Sequence, residues 1–457
     1  MSPPASLLAA FFVAAASSAS QMVHAMPGSL AMRAVTNSST PSNSSSSSSP
    51  MARVCGPNTA NVTCVSRYGS LLPPSFSRDP DPSIGYTGAE VPDDSSWSLV
   101  QNADFVLFDE KRGLEILGSA PKISRGIIPV LNVIHEAPVF VPEINKLFVT
   151  QDGPPGNMSI MQLDLNTDPP AVSLIETDPP IYQPTGGLYN PKDGMVYLAV
   201  HGNNGSLPNG QKQHAGIARF DPKTLKAEWL VNNYYGFNFA GPNDLTIDSV
   251  GDIWFTDTDY AYVIGVSESP KQLQLATWRY RPSTGQVQVM DTSLAYPNGI
   301  QFSRDGKTLY VADSGLESYS PVPTRGAGDF YNYPISIQFN STGARNVFAW
   351  DVARKGPDGL HPVITGKRVV FQSLEGAPDG LKIAANGYLV IAGGLAAGVD
   401  ITDELGNQIA RIQTSHPVEN IQWSGDDLKT LWLVGIGGIT KVEFDLAGPD
   451  LANYYNQ

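Results

Sequence analysis

One pattern recurs six times along this chain and dominates what it can fold into. A turn rich in Pro, Asn and Gly leads into an alternating apolar run. A polar turn with Asp or Gly follows, and then a second apolar run. The copies are His135–Thr150, Gln183–Val200, Gly241–Asp257, Pro297–Asp313, Pro378–Gly393 and His416–Gly435. Each reads as two strands joined by a hairpin. Leu245 and Ile247 alternate with Thr246 and Asp248, a period of two, and Asp193-Gly194 and Asp305-Gly306 are strong hairpin turns. With Glu136, Gly186, Asn243, Asn298, Asp379 and Asn420 as markers, each interval leaves room for two further strands. Four strands per repeat, arranged radially, define a propeller blade. The expectation is therefore an all-β chain, a six-bladed β-propeller. The long Asn298–Asp379 interval predicts an insertion within Ser314–Lys367, forming a loop over one face.

The repeats occupy a region expected to run over residues 95–457. The strand-like segment Ser96–Leu117 is expected to pair with Lys441–Leu446 and close the ring, which removes sheet edges. Residues 1–25 read as a secretory signal peptide, with the apolar run Leu7–Ala16 and a small-residue cleavage site at Val23-His24-Ala25. That run is too short to span a bilayer, so no membrane association is expected. Residues 26–94 read as a Ser-rich linker followed by a small loop closed by a Cys55–Cys64 disulfide, consistent with an oxidising compartment. Six Asn-x-Ser/Thr sequons, at Asn37, Asn43, Asn61, Asn157, Asn204 and Asn340, would carry N-glycans in a secreted, extracellular protein. The net charge is −14, with 16% charged residues. An acidic surface repels phosphate backbones, so a nucleic-acid partner is excluded.

Four repeats place an oxygen-bearing side chain near the start of the first strand: Glu136, Asn243, Asn298 and Asp379. In a propeller these starts converge on one mouth of the central channel. Two carboxylates brought together need a counter-charge. Ca²⁺ accepts carboxylate and amide oxygens in this way, and other divalent metals would tolerate the same set. The bland alternative is that Pro-Asn-Gly and Pro-Asp-Gly are only turn residues. Asp358 is a decoy, since it repeats Pro-Asp-Gly-Leu without the following strand pattern.

These motifs resemble the gluconolactonase/regucalcin family, most closely its fungal lactonohydrolases, with paraoxonases as distant relatives. The resemblance rests on His135–Phe140, Gly241–Asp244, Pro297–Ile300 and Ala377–Leu381, and spans residues 95–446. It implies that Glu136, Asn298 and Asp379 bind a divalent metal, and that Asn243 binds substrate or completes the metal sphere. It also implies hydrolysis of a small aldonolactone-like lactone to its hydroxy acid. Regucalcin-like members carry an Arg where this chain has Gly241, and the His pair of paraoxonases does not carry over.

Asp379 is the first candidate for general base and His201 the second. His135 is read as bracing the site, and His361 as reaching the mouth from a lid. Tyr234, Tyr235, Phe237 and Phe239 are candidates to wall the substrate pocket, with Tyr235 as the substrate-binding residue. No Gly-x-Ser-x-Gly elbow, zincin motif or P-loop is present. Two other functions stay open: a non-catalytic ligand-binding propeller with a structural metal, and a strictosidine-synthase-like enzyme.

Overall fold

A computed structural model describes residues 50–66, 71–79, 85–128, 134–151, 160–202, 212–263, 270–320 and 336–450. The signal-peptide and Ser-rich segments lie outside these residues, as do the sequons at Asn37, Asn43, Asn157 and Asn204 and the side chain of His135.

The chain is all-β and forms a β-propeller. Five four-stranded sheets are its blades, and four are up-and-down meanders in chain order, starting at Ile134, Pro184, Pro242 and Pro297. The blade that starts at Asn420 takes Lys122–Ser124 as its fourth strand, from far upstream in the chain. The strands Leu381–Ile383, Leu389–Ala392, Gly398–Thr402 and Gln408–Gln413 form a similar meander inside a seven-stranded sheet. In all six repeats the expected hairpin is present as the first and second strands of a meander. The first strands lie against one another in succession, and Asn420–Ser424 returns onto Ile134–Val141.

Alternation explains how each first strand serves both sides. Leu245 and Ile247 enter an inter-sheet core with Phe255 and Trp278. Thr246 points the other way, toward the hub, where its hydroxyl donates to Gln301 Oε1 of the next sheet at 2.6 Å.

Three expectations need correction. Ser96–Leu117 does not close the ring. It folds as a short helix (Trp97–Gln101), a strand (Phe105–Leu107) and a second helix (Glu110–Leu117). That strand pairs with Gln408–Gln413 on one side and Val62–Val65 on the other. Closure onto Gly438–Glu443 is made by Lys122–Ser124 instead. Ser96–Leu117 carries Asp109 as a helix N-cap, accepting from Arg112 N at 3.0 Å, and this favours helix over strand continuation.

Second, the described residues of the insertion do not form one loop over one face. Glu317–Ser320 pairs antiparallel with Ser336–Phe339, and two lengthened strands, Asn346–Lys355 and His361–Gln372, pair with each other. Third, His361 pairs with Lys355 at the end of those long strands. Asn346, at the other end, is the residue that pairs with Asp313 near the Asn298 mouth. Antiparallel pairing therefore carries His361 away from that mouth.

Cys55 and Cys64 form the expected disulfide, across the hairpin of Ala52–Val54 and Val62–Val65. Among the described residues, no helix is long and apolar enough to cross a membrane.

Candidate metal and substrate site at the hub

Asn243, Asn298 and Asp379 share one structural phase. Each lies two residues ahead of a strand residue, Leu245, Ile300 and Leu381, that pairs with Phe255, Val311 and Ile391. Glu136 does not share it, being three residues ahead of Val139, which pairs with Phe148. Ala137, at φ 50°, takes the shared phase instead. A carboxylate one step further back needs the longer Glu stem to reach the same region. Glu419 occupies the shared phase in the last repeat, two residues before Ile421, and is buried. In the sequence its neighbour Asn420 marks the repeat instead.

Two buried aspartates hold the turns that present the asparagines. Asp257 accepts from Gly241 N at 2.7 Å and Ala240 N at 3.1 Å. Asp313 accepts from Tyr296 N at 2.9 Å and Ala295 N at 3.0 Å. Burial outweighs the two N–H donors at Asp257 and pushes its carboxyl up to about 7.

Hydrogen bonds then link neighbouring repeats around the hub. Thr185 Oγ1 donates to Asn243 O at 3.0 Å, and Thr256 Oγ1 to Asn298 O at 2.7 Å. Ser314 Oγ accepts from Asn298 Nδ2 at 3.0 Å and donates to Pro378 O at 2.8 Å, next to Asp379. Asn420 Nδ2 donates to Glu136 Oε2 at 2.8 Å, which also accepts from Ala137 N. Gly380 lies so close to Asn420 that any Cβ there would collide with its amide.

The most informative atom is Asn298 Oδ1. With Nδ2 committed to Ser314, the amide turns its oxygen away, and that oxygen is buried without a hydrogen-bond partner among the described residues. An orphaned buried acceptor costs about 1–3 kcal/mol, and a cation supplies what it lacks. Asn243 is buried, and its side chain forms no hydrogen bond among the described residues. Two carboxylates and two amide oxygens are a hard-donor set suited to Ca²⁺. Among the described residues, no three His, Cys, Asp or Glu side chains are gathered tightly enough to hold an ion by themselves.

Ser314 was not found by sequence reasoning. Its signal was its place directly after Asp313 at the end of a second strand. Ser314→Ala is expected to free the Asn298 amide and weaken Ca²⁺ binding by about tenfold, as loss of a ligand-orienting partner does. Titration calorimetry checks this, with Ser314→Thr expected to restore affinity.

Tyr260 and Glu317 were also missed. Tyr260, in the short helix Tyr260–Val263, has its hydroxyl bonded to Ser314 and feels the charges of Glu317 and Asp379. Burial, reinforced by those carboxylates, holds it well above the ordinary tyrosine range, so it stays a neutral phenol. Its ring lies 5.3 Å from that of Tyr296.

His201 is buried at the end of Met195–Val200, and its backbone N donates to Gln183 O. A Cβ placed on Gly241 would sit 3.1 Å from His201 Cδ2. The imidazole, Thr258 O and Ala261 Cβ together border the space that a side chain at 241 would enter. Tyr235 is not brought to this group. It stands 84% exposed at the tip of a hairpin, at φ 47°, beside Tyr280 and Val287 of outer strands. Phe239 packs into the core against Phe255 and Trp278.

Fold and register together define a β-propeller whose first strands carry Asn243, Asn298 and Asp379 at one phase in separate repeats. Residues 184–436 match the model of the SMP-30/gluconolactonase/LRE-like region. Two relatives from Aspergillus oryzae are similar over most of the chain. Lactonohydrolase oryL is 38% identical, with 85% of this chain and 86% of that one covered. Lactonohydrolase oryH is 32% identical, with 88% and 95% covered. The solved gluconolactonase XC5397 from Xanthomonas campestris shares the fold, with a TM-score of 0.54, 19% identity, and 74% of this chain and 94% of that one covered. The chain belongs to the SMP-30/gluconolactonase family.

Proposed function

We propose that this protein is a secreted, divalent-metal-dependent lactonase that opens small lactones to hydroxy acids. On this reading the meander of Leu381–Gln413 is the sixth blade, and the hub mouth is the active site. Support comes first from the buried, unpartnered Asn298 Oδ1 in a chain resembling two lactonohydrolases. Glu136, Asn243, Asn298 and Asp379 would hold the ion, with Ca²⁺ the best match to the donors. When bound, such an ion polarises an ester carbonyl and stabilises the oxyanion.

The chain's own groups do the rest. Asp379, only partly buried, accepts a proton from the attacking water, and His201 is the alternative base. Water adds to the carbonyl carbon, the ring acyl–oxygen bond breaks, and the leaving alkoxide takes a proton to become the hydroxyl. Tyr260, a neutral phenol that feels the charge of Asp379, would donate that proton. With His201, Thr258 and Ala261 bordering the space at Gly241, the pocket lacks the Arg that regucalcin-like members use, and this favours lactones with fewer polar substituents. The leader-like Leu7–Ala16 run, the disulfide and the sequons support secretion and N-glycosylation.

The test is a lactone panel followed by acid release, with chelator and with Ca²⁺, Mg²⁺, Mn²⁺ or Zn²⁺ restored. Turnover is expected to vanish on chelation and return with Ca²⁺. A protein that opens no lactone under any metal, yet melts lower on chelation, would be a binding propeller instead.

A further inference from the structure

A cavity of about 680 Å³ lies at the end of the channel opposite Asn298 and Asp379. One residue from each first strand lies three positions beyond the shared phase: Phe140, Leu188, Thr246, Gln301, Lys382 and Gln422. All but Thr246 line this cavity. At this level the channel has an apolar side, Phe140 and Leu188, and a polar side.

Lys382 is the unusual member. Its neighbours Leu381 and Ile383 are core residues, so alternation turns Lys382 into the channel. It is only 8% exposed, and its ammonium forms no hydrogen bond or ion pair among the described residues. The carboxylate that acts on it, Asp244, is committed to Leu245 N at 2.8 Å and Ile300 N at 3.4 Å. Beside it, Gln301 uses its oxygen to accept from Thr246 Oγ1 and Phe302 N, so its amide donors are left for the cavity. A buried, unpaired ammonium is costly and calls for an anion or water. The rim carries Glu143, Asp426 and Asp450, which repel a second negative charge.

We propose that this cavity is a second ligand site, separate from the hub mouth, for a small monocarboxylate with an apolar body. The carboxylate sits on Lys382 Nζ and the Gln301 amide, and the hydrocarbon lies along Phe140 and Leu188. This site does not depend on the lactonase reading.

Calorimetry on the full chain with hexanoate, hexanol and adipate tests it. Hexanoate is expected to bind about tenfold or more tighter than hexanol, the gain of a charge-assisted hydrogen bond, and tighter than the dianionic adipate. Lys382→Met is expected to bring hexanoate down to the hexanol level, and Lys382→Arg to retain most of the affinity. Should Lys382→Met fail to fold, Leu188→Trp, which fills the cavity, is expected to abolish binding of both. Equal binding of hexanoate and hexanol overturns the proposal, as does unchanged binding in Lys382→Met. Absence of saturable hexanoate binding also overturns it, leaving Lys382 as a hydrated counter-charge to Asp244.

Discussion

Glu136→Gln is expected to weaken Ca²⁺ binding by about 10²-fold and lactone turnover by about 10²- to 10³-fold. The substitution removes charge while keeping shape. Glu136 Oε2 accepts from Asn420 Nδ2 and Ala137 N, and a glutamine oxygen can accept the same two bonds. The junction between the last and first repeats is thereby preserved. What changes is that one of two carboxylates in a four-oxygen donor set becomes neutral, and a hard dication loses half of its formal counter-charge. Calorimetry with Ca²⁺ and lactone progress curves at saturating metal separate affinity from chemistry. Melting in the presence of chelator should match the unsubstituted protein. Unchanged Ca²⁺ affinity would remove Glu136 from the ligand set.

The largest effect on stability is expected at Arg411, outside the hub. Its guanidinium is fully buried, pairing with Asp400 Oδ2 at 2.9 Å and with Glu375, and stacks over the Tyr86 ring with its centre 5.7 Å from the centroid. Glu375 also accepts from Tyr86 N at 3.1 Å, so the cluster ties the segment before the first helix to the seven-stranded sheet. Arg411→Leu leaves two carboxylates in a low-dielectric interior with no cation. Breaking a buried pair by removing one partner costs about 3–5 kcal/mol. Urea unfolding should show a lower midpoint with little change in slope. Loss of the Gly85–Gly88 segment's protection should appear in amide exchange before global unfolding. A midpoint equal to the unsubstituted protein's would mean that the two carboxylates find other partners.

Much of the fold was legible because it is built on local alternation. Leu245 and Ile247 against Thr246, or Leu381 and Ile383 against Lys382, define a strand with two faces without any long-range information. Repetition of that pattern with similar spacing then implies radial stacking. The closing strand was not legible. Lys122–Ser124 has only three residues and little alternation of its own, and it becomes a strand because Gly438–Glu443 offers an unpaired edge. Ser96–Leu117 misled for the converse reason, since its apolar residues suit strand and helix alike, and the Asp109 cap decides.

The site divides the same way. Asn243, Asn298 and Asp379 stood out because they recur at one phase of a repeat. Glu136 stood out by its motif, yet its true register differs by one, since the bulge at Ala137 follows from backbone geometry rather than residue type. Tyr235 belonged to an aromatic run that looked like a pocket wall. Backbone geometry at a hairpin tip places it in solvent while Phe239, four residues on, is core.

Sequence alone determined the repeat, the strand pairs within it and the recurrence of Asn243, Asn298 and Asp379 at one phase, because these depend on residues close together in the chain. Tertiary structure alone decided which donor oxygen is left unsatisfied, that His201 borders the space beside Gly241, and that Lys382 lies unpaired in a cavity at the far end of the channel. Those facts arise from tertiary contacts, Asn298 with Ser314, His201 beside Gly241 and Lys382 near Asp244, and such contacts leave no periodic trace in the chain.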